Sequence, residues 1–79
     1  MRIPRDLGGN ELAAALCRTW GYVIVHQTGS HIILDTEQPS HQRMAIPNHR
    51  ALRIGTLNNI LRAVSQHKSV SREKILATL

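Results

Sequence analysis

The sequence predicts an α+β domain in which a three-stranded antiparallel sheet is covered on one face by two main helices. Apolar residues recur with helical spacing over residues 10 to 19 and again over residues 56 to 67. Between these segments, two runs rich in β-branched residues, 22 to 27 and 30 to 35, are separated by a short turn signal. The connections are too short for parallel crossovers, so the strands are expected to pair antiparallel.

The first helix is expected to follow an irregular arm over residues 1 to 9. Pro4 disfavours helical backbone at the residue before it, and two consecutive glycines loosen the start of the helix. Leu12 and Leu16 then lie one turn apart on the apolar side of the helix. Gly21 is well placed to end the helix with a positive φ.

A polar loop after the first hairpin leads to a shorter third strand over residues 42 to 46, which Pro47 ends. The second helix, over residues 56 to 67, has the most regular apolar spacing in the chain. Gly55 and Thr56 are predicted to mark its start.

Ser71 is predicted to cap a last short helix over residues 71 to 79. A three-stranded sheet cannot bury its own apolar face, so the helices must cover one side of it. The resulting α-β-β-β-α order is the topology of the double-stranded RNA-binding domain. We therefore expect one domain over residues 1 to 79, with its core in residues 10 to 67.

Composition restricts the class of protein. A chain of 79 residues buries a modest core, so a functional site is expected at the surface or in a shallow groove. The single cysteine, Cys17, cannot form an internal disulfide and is interpreted as a small core residue. No apolar run is long enough to span a membrane, and residues 1 to 10 lack the apolar stretch of a signal peptide. A cytoplasmic protein is therefore expected.

Basic residues are concentrated in the second half of the chain. Residues 1 to 37 hold three basic and four acidic side chains, whereas residues 38 to 79 hold seven basic side chains and a single acidic one, Glu73. This distribution is typical of a surface that binds a polyanion, although a basic surface that only aids solubility has the same composition. With one tryptophan, one tyrosine and no phenylalanine, the chain offers few side chains on which bases could stack.

The chain has five histidines, which are His26, His31, His41, His49 and His67. None of them lies in the tight spacings typical of zinc sites, so no metal or other cofactor is predicted, although residues distant in sequence could still assemble a site. Ser30 directly precedes His31. On a strand, two consecutive side chains point to opposite faces, which makes a Ser-His nucleophilic pair unfavourable.

RNA cleavage requires few protein groups, because RNA brings its own nucleophile, the 2′-hydroxyl. A base, a proton donor and cations for the phosphorane suffice, and histidine has a pKa close to the operating pH. The best candidate segment is Thr-Gly-Ser-His at residues 28 to 31, in which Gly29 lets the backbone approach a phosphate or adopt a positive φ. Ser30 offers an N–H and a hydroxyl to phosphate oxygens, and His31 begins a strand that would hold it. From the residues alone, the favoured interpretation of His31 is a half-exposed strand histidine without a task.

Three motifs, in order, resemble those of a known family. Residues 21 to 31 run from Gly-Tyr-Val-Ile-Val to Gly-Ser-His, residues 46 to 49 read Ile-Pro-Asn-His, and residues 55 to 61 read Gly-Thr-Leu-Asn-Asn-Ile-Leu. At this spacing they resemble the HicA-type toxins, also called the YcfA-like family, of HicA/HicB toxin–antitoxin systems. The resemblance covers about residues 10 to 65.

The resemblance implies a double-stranded-RNA-binding-like fold and metal-independent cleavage of messenger RNA, with His31 as the catalytic residue and no cofactor. It also implies a HicB-type antitoxin that binds the toxin and covers its active site, with DNA contacted only through that complex. The same fold could instead serve as an RNA-binding module without chemistry. A third possibility is a protein whose main role is to bind its antitoxin. Apolar residues on the side of the sheet not covered by helices, such as Ile24 or Ile33, could then form the interface.

Further residues are expected to hold RNA rather than react with it. Four arginines are candidates for contacts to backbone phosphates, with solvated charges as the alternative: Arg43, Arg50, Arg53 and Arg62. His49 is interpreted as a structural or substrate-positioning residue, and a second acid–base role for it stays open. The remaining histidines are expected at the surface: His26, His41 and His67.

Overall fold

The computed structural model describes residues 6–79 and has the predicted order of elements. The elements are α1 (Gly9–Thr19), β1 (Val23–Gln27), β2 (His31–Thr36), β3 (Gln42–Pro47), α2 (Ile54–Lys68) and α3 (Arg72–Leu76). The strands form one antiparallel sheet in the order β1-β2-β3. The predicted fold class is thus confirmed, while residues 1–5 of the predicted arm lie outside the described residues. None of the helices within residues 6–79 is long and apolar enough to cross a bilayer.

The side chains of β2 alternate between the two faces of the sheet. Ile32, Leu34 and Thr36 are buried, whereas His31 is exposed. The buried face packs against the helices in a single apolar cluster. The helical members of this cluster are Leu12, Ala13, Leu16, Leu57, Ile60, Leu61, Val64 and Ile75. The helices therefore lie on one face of the sheet, as predicted, and His31 lies on the other, which we call the open face.

Two glycines determine how α1 begins and ends. Gly21 follows the helix with a φ of 76°, as predicted, a conformation that residues with a Cβ rarely adopt. At the other end, the Gly9 N–H donates to the carbonyl of His49 at 2.9 Å. A Cβ on Gly9 would overlap the carbonyl oxygen of Pro47. The start of α1 is therefore packed directly against the segment that follows β3.

Helix α2 begins two residues before the predicted start, at Ile54. The Leu57 N–H donates to the carbonyl of Arg53 at 2.9 Å, so the helical hydrogen bonds begin at Arg53, which has extended backbone and no side-chain cap. Because Ile54 is 50 % exposed, it does not extend the pattern of buried apolar residues from which the start of the helix was predicted. Gly55 lies within the first turn of the helix rather than at its boundary.

The C-terminal segment is attached to the core. Ser71 caps α3 as predicted, with its hydroxyl accepting from the Lys74 N–H at 3.2 Å. The helix ends at Leu76 rather than continuing to residue 79. Ile75 is fully buried, and Trp20 Nε1 donates to the Thr78 hydroxyl at 3.0 Å. The segment therefore closes the end of the apolar cluster beside α1.

A bulge in β1 changes which of its residues share a face with β2. Val23 pairs with Asp35 and Ile24 with Leu34, but the register then shifts, so that His26 pairs with Ile33. Cross-strand partners share a face, so Ile33 lies on the open face, as expected. The expectation for Ile24 was wrong, because its partner is buried on the helix side; Ile24 lies at the sheet edge and is 47 % exposed.

The only tyrosine gives the fold a measurable pH dependence. Tyr22 is 2 % exposed, its hydroxyl donates to Gln42 Oε1 at 2.6 Å, and burial raises its pKa to about 12, against about 10 in water. Because the folded-state pKa is raised, the stability that this group contributes is complete below about pH 10 and is lost as the pH rises through about 12. We expect the ultraviolet absorbance of tyrosinate to appear near the upper value, together with alkaline unfolding. A midpoint near pH 10 in the folded protein would contradict the burial.

Candidate active site

The turn between β1 and β2 is organised by the side chain of Thr28. Its backbone N–H donates to the carbonyl of His31 at 2.9 Å. Its hydroxyl oxygen accepts from the N–H groups of Ser30 and His31 at 3.2 and 3.0 Å. A hydroxyl that accepts from the backbone two residues ahead is a recurrent device of tight turns, so this role could have been found from a threonine at the start of the turn signal. The turn brings His31 to the first position of β2.

The His31 imidazole is exposed at this end of the open face. Its Nδ1 lies 3.1 Å from the Ser30 hydroxyl. Within residues 6–79, its Nε2 makes no hydrogen bond to the protein and no carboxylate lies within ion-pair distance of the ring. The ring is therefore neither buried in the core nor neutralised by an acid, and one of its nitrogens is free to meet a ligand.

The expectation that Ser30 and His31 point to opposite faces was wrong. Ser30 precedes β2 and belongs to the turn, so the alternation of strand side chains does not apply to it. Its hydroxyl consequently reaches the ring of the next residue. A nucleophilic triad would also require an acid that orients the imidazole, and the described part of the chain places none there.

Gly29 lies at the tip of the same turn. Its φ is outside the left-handed region, so the positive-φ alternative was wrong. A Cβ added to it would meet no atom within 4 Å. Neither the backbone conformation nor packing within the described residues therefore requires a glycine here. The open space beside it is compatible with the other prediction, close approach of a ligand to the backbone.

The segment after β3 lies beside the turn. Pro47 pairs with His31 across the sheet, and the Asn48 N–H donates to the carbonyl of Ser30 at 2.9 Å. His49 and Arg50 follow directly and are exposed. The structure thus places these two predicted residues at the same end of the sheet as His31.

A shallow depression of about 450 Å³ lies between this segment and the start of α1. Its lining residues are Asn10, Glu11, Asn48, His49 and Arg50. Sequence patterns had not identified Asn10, Glu11 or Asn48 as candidate site residues. Glu11 accepts from the Gly8 N–H at 2.9 Å, and its position three residues after the helix cap is the recognisable signal for that contact.

Arg43 lies away from His31. It donates to both carboxylate oxygens of Asp35, at 2.7 and 3.0 Å, near the opposite end of the paired strands. Asp35 lies four positions along β2 from His31, a distance of roughly 13 Å. The guanidinium holds the pKa of the Asp35 carboxyl below its usual value, and the carboxylate raises the pKa of Arg43. This arginine is therefore engaged within the sheet, whereas Arg53, which precedes α2, is exposed.

The other candidate groups are elsewhere. His26 is exposed on β1 and His41 is exposed beside Glu37, as predicted. His67 is only partly exposed, because its Nε2 contacts the Ser40 carbonyl at 2.8 Å. Cys17 packs against the core, and burial raises the pKa of its thiol, which disfavours the reactive thiolate.

Within residues 6–79, one group of side chains could hold a metal ion. The ligand atoms of Asp35, Glu37 and His41 lie within 4.8 Å of one another, although they are largely exposed and Asp35 is bonded to Arg43. The group lies at the other end of β2 from His31. Metal bound there would not contact the imidazole.

The chain matches a known protein family over the sheet and helices α1 and α2. A family model described as "HicA toxin of bacterial toxin-antitoxin" matches residues 9–65, which contain α1, the whole sheet and most of α2. No curated protein and no solved structure matched the chain. The matched range includes the turn, His31 and the segment after β3, whereas α3 lies outside it.

Proposed function

The chain belongs to the HicA toxin family of bacterial toxin–antitoxin systems, and from this premise we propose that it is an RNA endonuclease with His31 as its catalytic residue. The substrate is messenger RNA and the reaction needs no metal ion. The observation that carries the proposal is the exposed imidazole at the end of the sheet, with one nitrogen held by Ser30 and the other free.

The proposed reaction uses the nucleophile of the substrate. The 2′-oxygen attacks the adjacent phosphorus, the bond from phosphorus to the 5′-oxygen breaks, and a 2′,3′-cyclic phosphate and a 5′-hydroxyl form. The imidazole of His31 takes the proton of the 2′-hydroxyl and, as imidazolium, can return a proton to the leaving 5′-oxygen. The guanidinium groups of Arg50 and Arg53 stabilise the negative charge that accumulates on the phosphorane.

RNA is held from the same end of the sheet. Gly29 allows the phosphate backbone to approach the turn, and the exposed side chains of His49 and Arg50 lie beside it. The excess of basic residues after residue 37 supplies a field that attracts the polyanion. Arg43 contributes to this field but, paired with Asp35, makes no contact at the scissile phosphate.

The partner is an antitoxin of the HicB type that binds over the open face and His31. Ile33 on this face is partly exposed and offers apolar contact area next to the catalytic residue. DNA is contacted only through the toxin–antitoxin complex.

Gly29→Ala separates a role in substrate approach from a role in folding. Because the added methyl group meets no protein atom, we expect the free energy of unfolding to change by no more than about 0.5 kcal/mol. We expect RNA cleavage to fall roughly 10-fold or more, since small displacements of a substrate cost large factors in rate. Gly55→Ala is the matched control, because a Cβ there also meets open space. Equal cleavage by the two variants would remove Gly29 from the site.

The proposed function is tested by inducible expression of the wild-type chain and His31→Ala, with growth and messenger RNA integrity as readouts. Wild type should arrest growth and degrade messenger RNA, while His31→Ala should do neither at the same protein level. Intact messenger RNA during wild-type growth arrest, or full activity of the variant, would contradict the proposal.

A further inference from the structure

We propose that Ser30 positions the catalytic imidazole by accepting a hydrogen bond from its Nδ1–H, so that Nε2 is the nitrogen that exchanges protons with RNA. The inference rests on the proposed function for the direction of this hydrogen bond and for its kinetic consequences. Its structural content, which ring nitrogen carries the proton in the free protein, can be measured without RNA.

The His31 ring needs a positioning contact because the core supplies none. An exposed side chain samples several rotamers, and holding it in one orientation has an entropic cost. Within residues 6–79, the contact between Nδ1 and the Ser30 hydroxyl, at 3.1 Å, is the one hydrogen bond that the ring makes. This contact leaves Nε2 as the nitrogen available to a substrate.

The Thr28 hydroxyl does not fix the direction of the contact between Ser30 and the ring. Its oxygen accepts from the backbone N–H groups of Ser30 and His31, which occupies both of its lone pairs, and its single proton can go to the His31 carbonyl at 3.4 Å. The exposed Ser30 hydroxyl is then left either to donate to Nδ1 or to accept from Nδ1–H. A base at Nε2 requires the second arrangement, in which the proton of neutral His31 is on Nδ1.

This direction suits proton transfer at Nε2. With the proton of neutral His31 on Nδ1, the lone pair of Nε2 is free to accept the proton of the 2′-hydroxyl. The imidazolium formed keeps its Nδ1–H bond to Ser30, so the same contact holds the ring before and after the transfer. The opposite direction would place the proton on Nε2 and remove the base.

The first experiment determines the tautomer of His31 by nitrogen NMR in the folded protein without RNA, under conditions in which the ring is neutral. Wild type should show the Nδ1–H form. Ser30→Ala should shift His31 toward the Nε2–H form that free histidine favours in water, whereas Ser30→Thr, which keeps a hydroxyl at this position, should retain the Nδ1–H form. Ser40→Ala, at an exposed serine of another loop, is the control and should change nothing. A tautomer unaffected by Ser30→Ala would overturn the proposal.

The second experiment measures cleavage of an RNA oligonucleotide over a range of pH. Ser30→Ala should lower kcat roughly 10- to 100-fold, the range found for residues that orient a metal-binding histidine, with KM little changed. A rise in KM alone would assign Ser30 to substrate binding and overturn the positioning role. If wild type shows the Nδ1–H form but cleaves no RNA, the proposed function fails while the tautomer assignment stands.

Discussion

His31→Ala should lower the rate of RNA cleavage by about 100- to 10,000-fold, the usual contribution of a positioned general acid–base group. The turn places the imidazole at the end of the open face, and its Nε2 has no protein partner within residues 6–79. Because the ring is exposed, its removal should change the free energy of unfolding by no more than about 0.5 kcal/mol. Initial rates on a labelled RNA oligonucleotide, together with urea unfolding curves, measure both quantities.

The matched control for this variant is His26→Ala. His26 is an exposed histidine on the neighbouring strand, paired with Ile33 on the same face. Its removal changes charge and composition in the same way but leaves the turn intact, so cleavage should stay near the wild-type rate. A comparable loss in both variants would indicate a general effect of surface histidines and contradict a specific role for His31.

Ile75→Ala should destabilise the protein by about 2–5 kcal/mol, the range for large-to-small substitutions in a packed core. Ile75 is fully buried although it belongs to a five-residue helix, and it lies outside the residues that the family model matches. Equilibrium unfolding in urea, with tryptophan fluorescence as the signal, measures the change. Trp20 is bonded to Thr78 in the same segment and so reports on it directly.

Ile54→Ala is the corresponding control, because the same atoms are removed from a side chain that is 50 % exposed. A loss much smaller than that of Ile75→Ala is expected. Similar losses would mean that α3 packs more loosely than its burial indicates. The larger loss at Ile75 would establish that the C-terminal segment is part of the folded unit.

The elements of the fold could be predicted because each has its own periodic pattern of apolar residues. The ends of the elements were harder to predict. Helix α2 begins with the exposed Ile54, and α3 ends at Leu76 although a further apolar residue follows at Leu79. At both positions the boundary is set by backbone hydrogen bonds rather than by burial, so the apolar pattern carries no signal for it.

The site could be predicted in part. His31 stands at the start of its strand as expected, but its contact with Ser30 depends on turn geometry that strand alternation does not describe. The pairing of Arg43 with Asp35 depends on cross-strand register, and the position of Ile24 depends on a bulge. Registers and bulges arise from contacts between distant segments, so they could not be derived from local patterns.

The proposed reaction requires that RNA supplies the attacking oxygen and that the protein supplies the imidazole. The decisive measurement is cleavage by the wild-type protein, in the presence of a metal chelator, of an RNA oligonucleotide and of the same oligonucleotide with a 2′-deoxy residue at the cleaved position. We predict a 2′,3′-cyclic phosphate and a 5′-hydroxyl from the first and no cleavage at the deoxy position in the second. Cleavage at the deoxy position, or products that carry a 5′-phosphate and a 3′-hydroxyl, would contradict attack by the 2′-hydroxyl of the RNA.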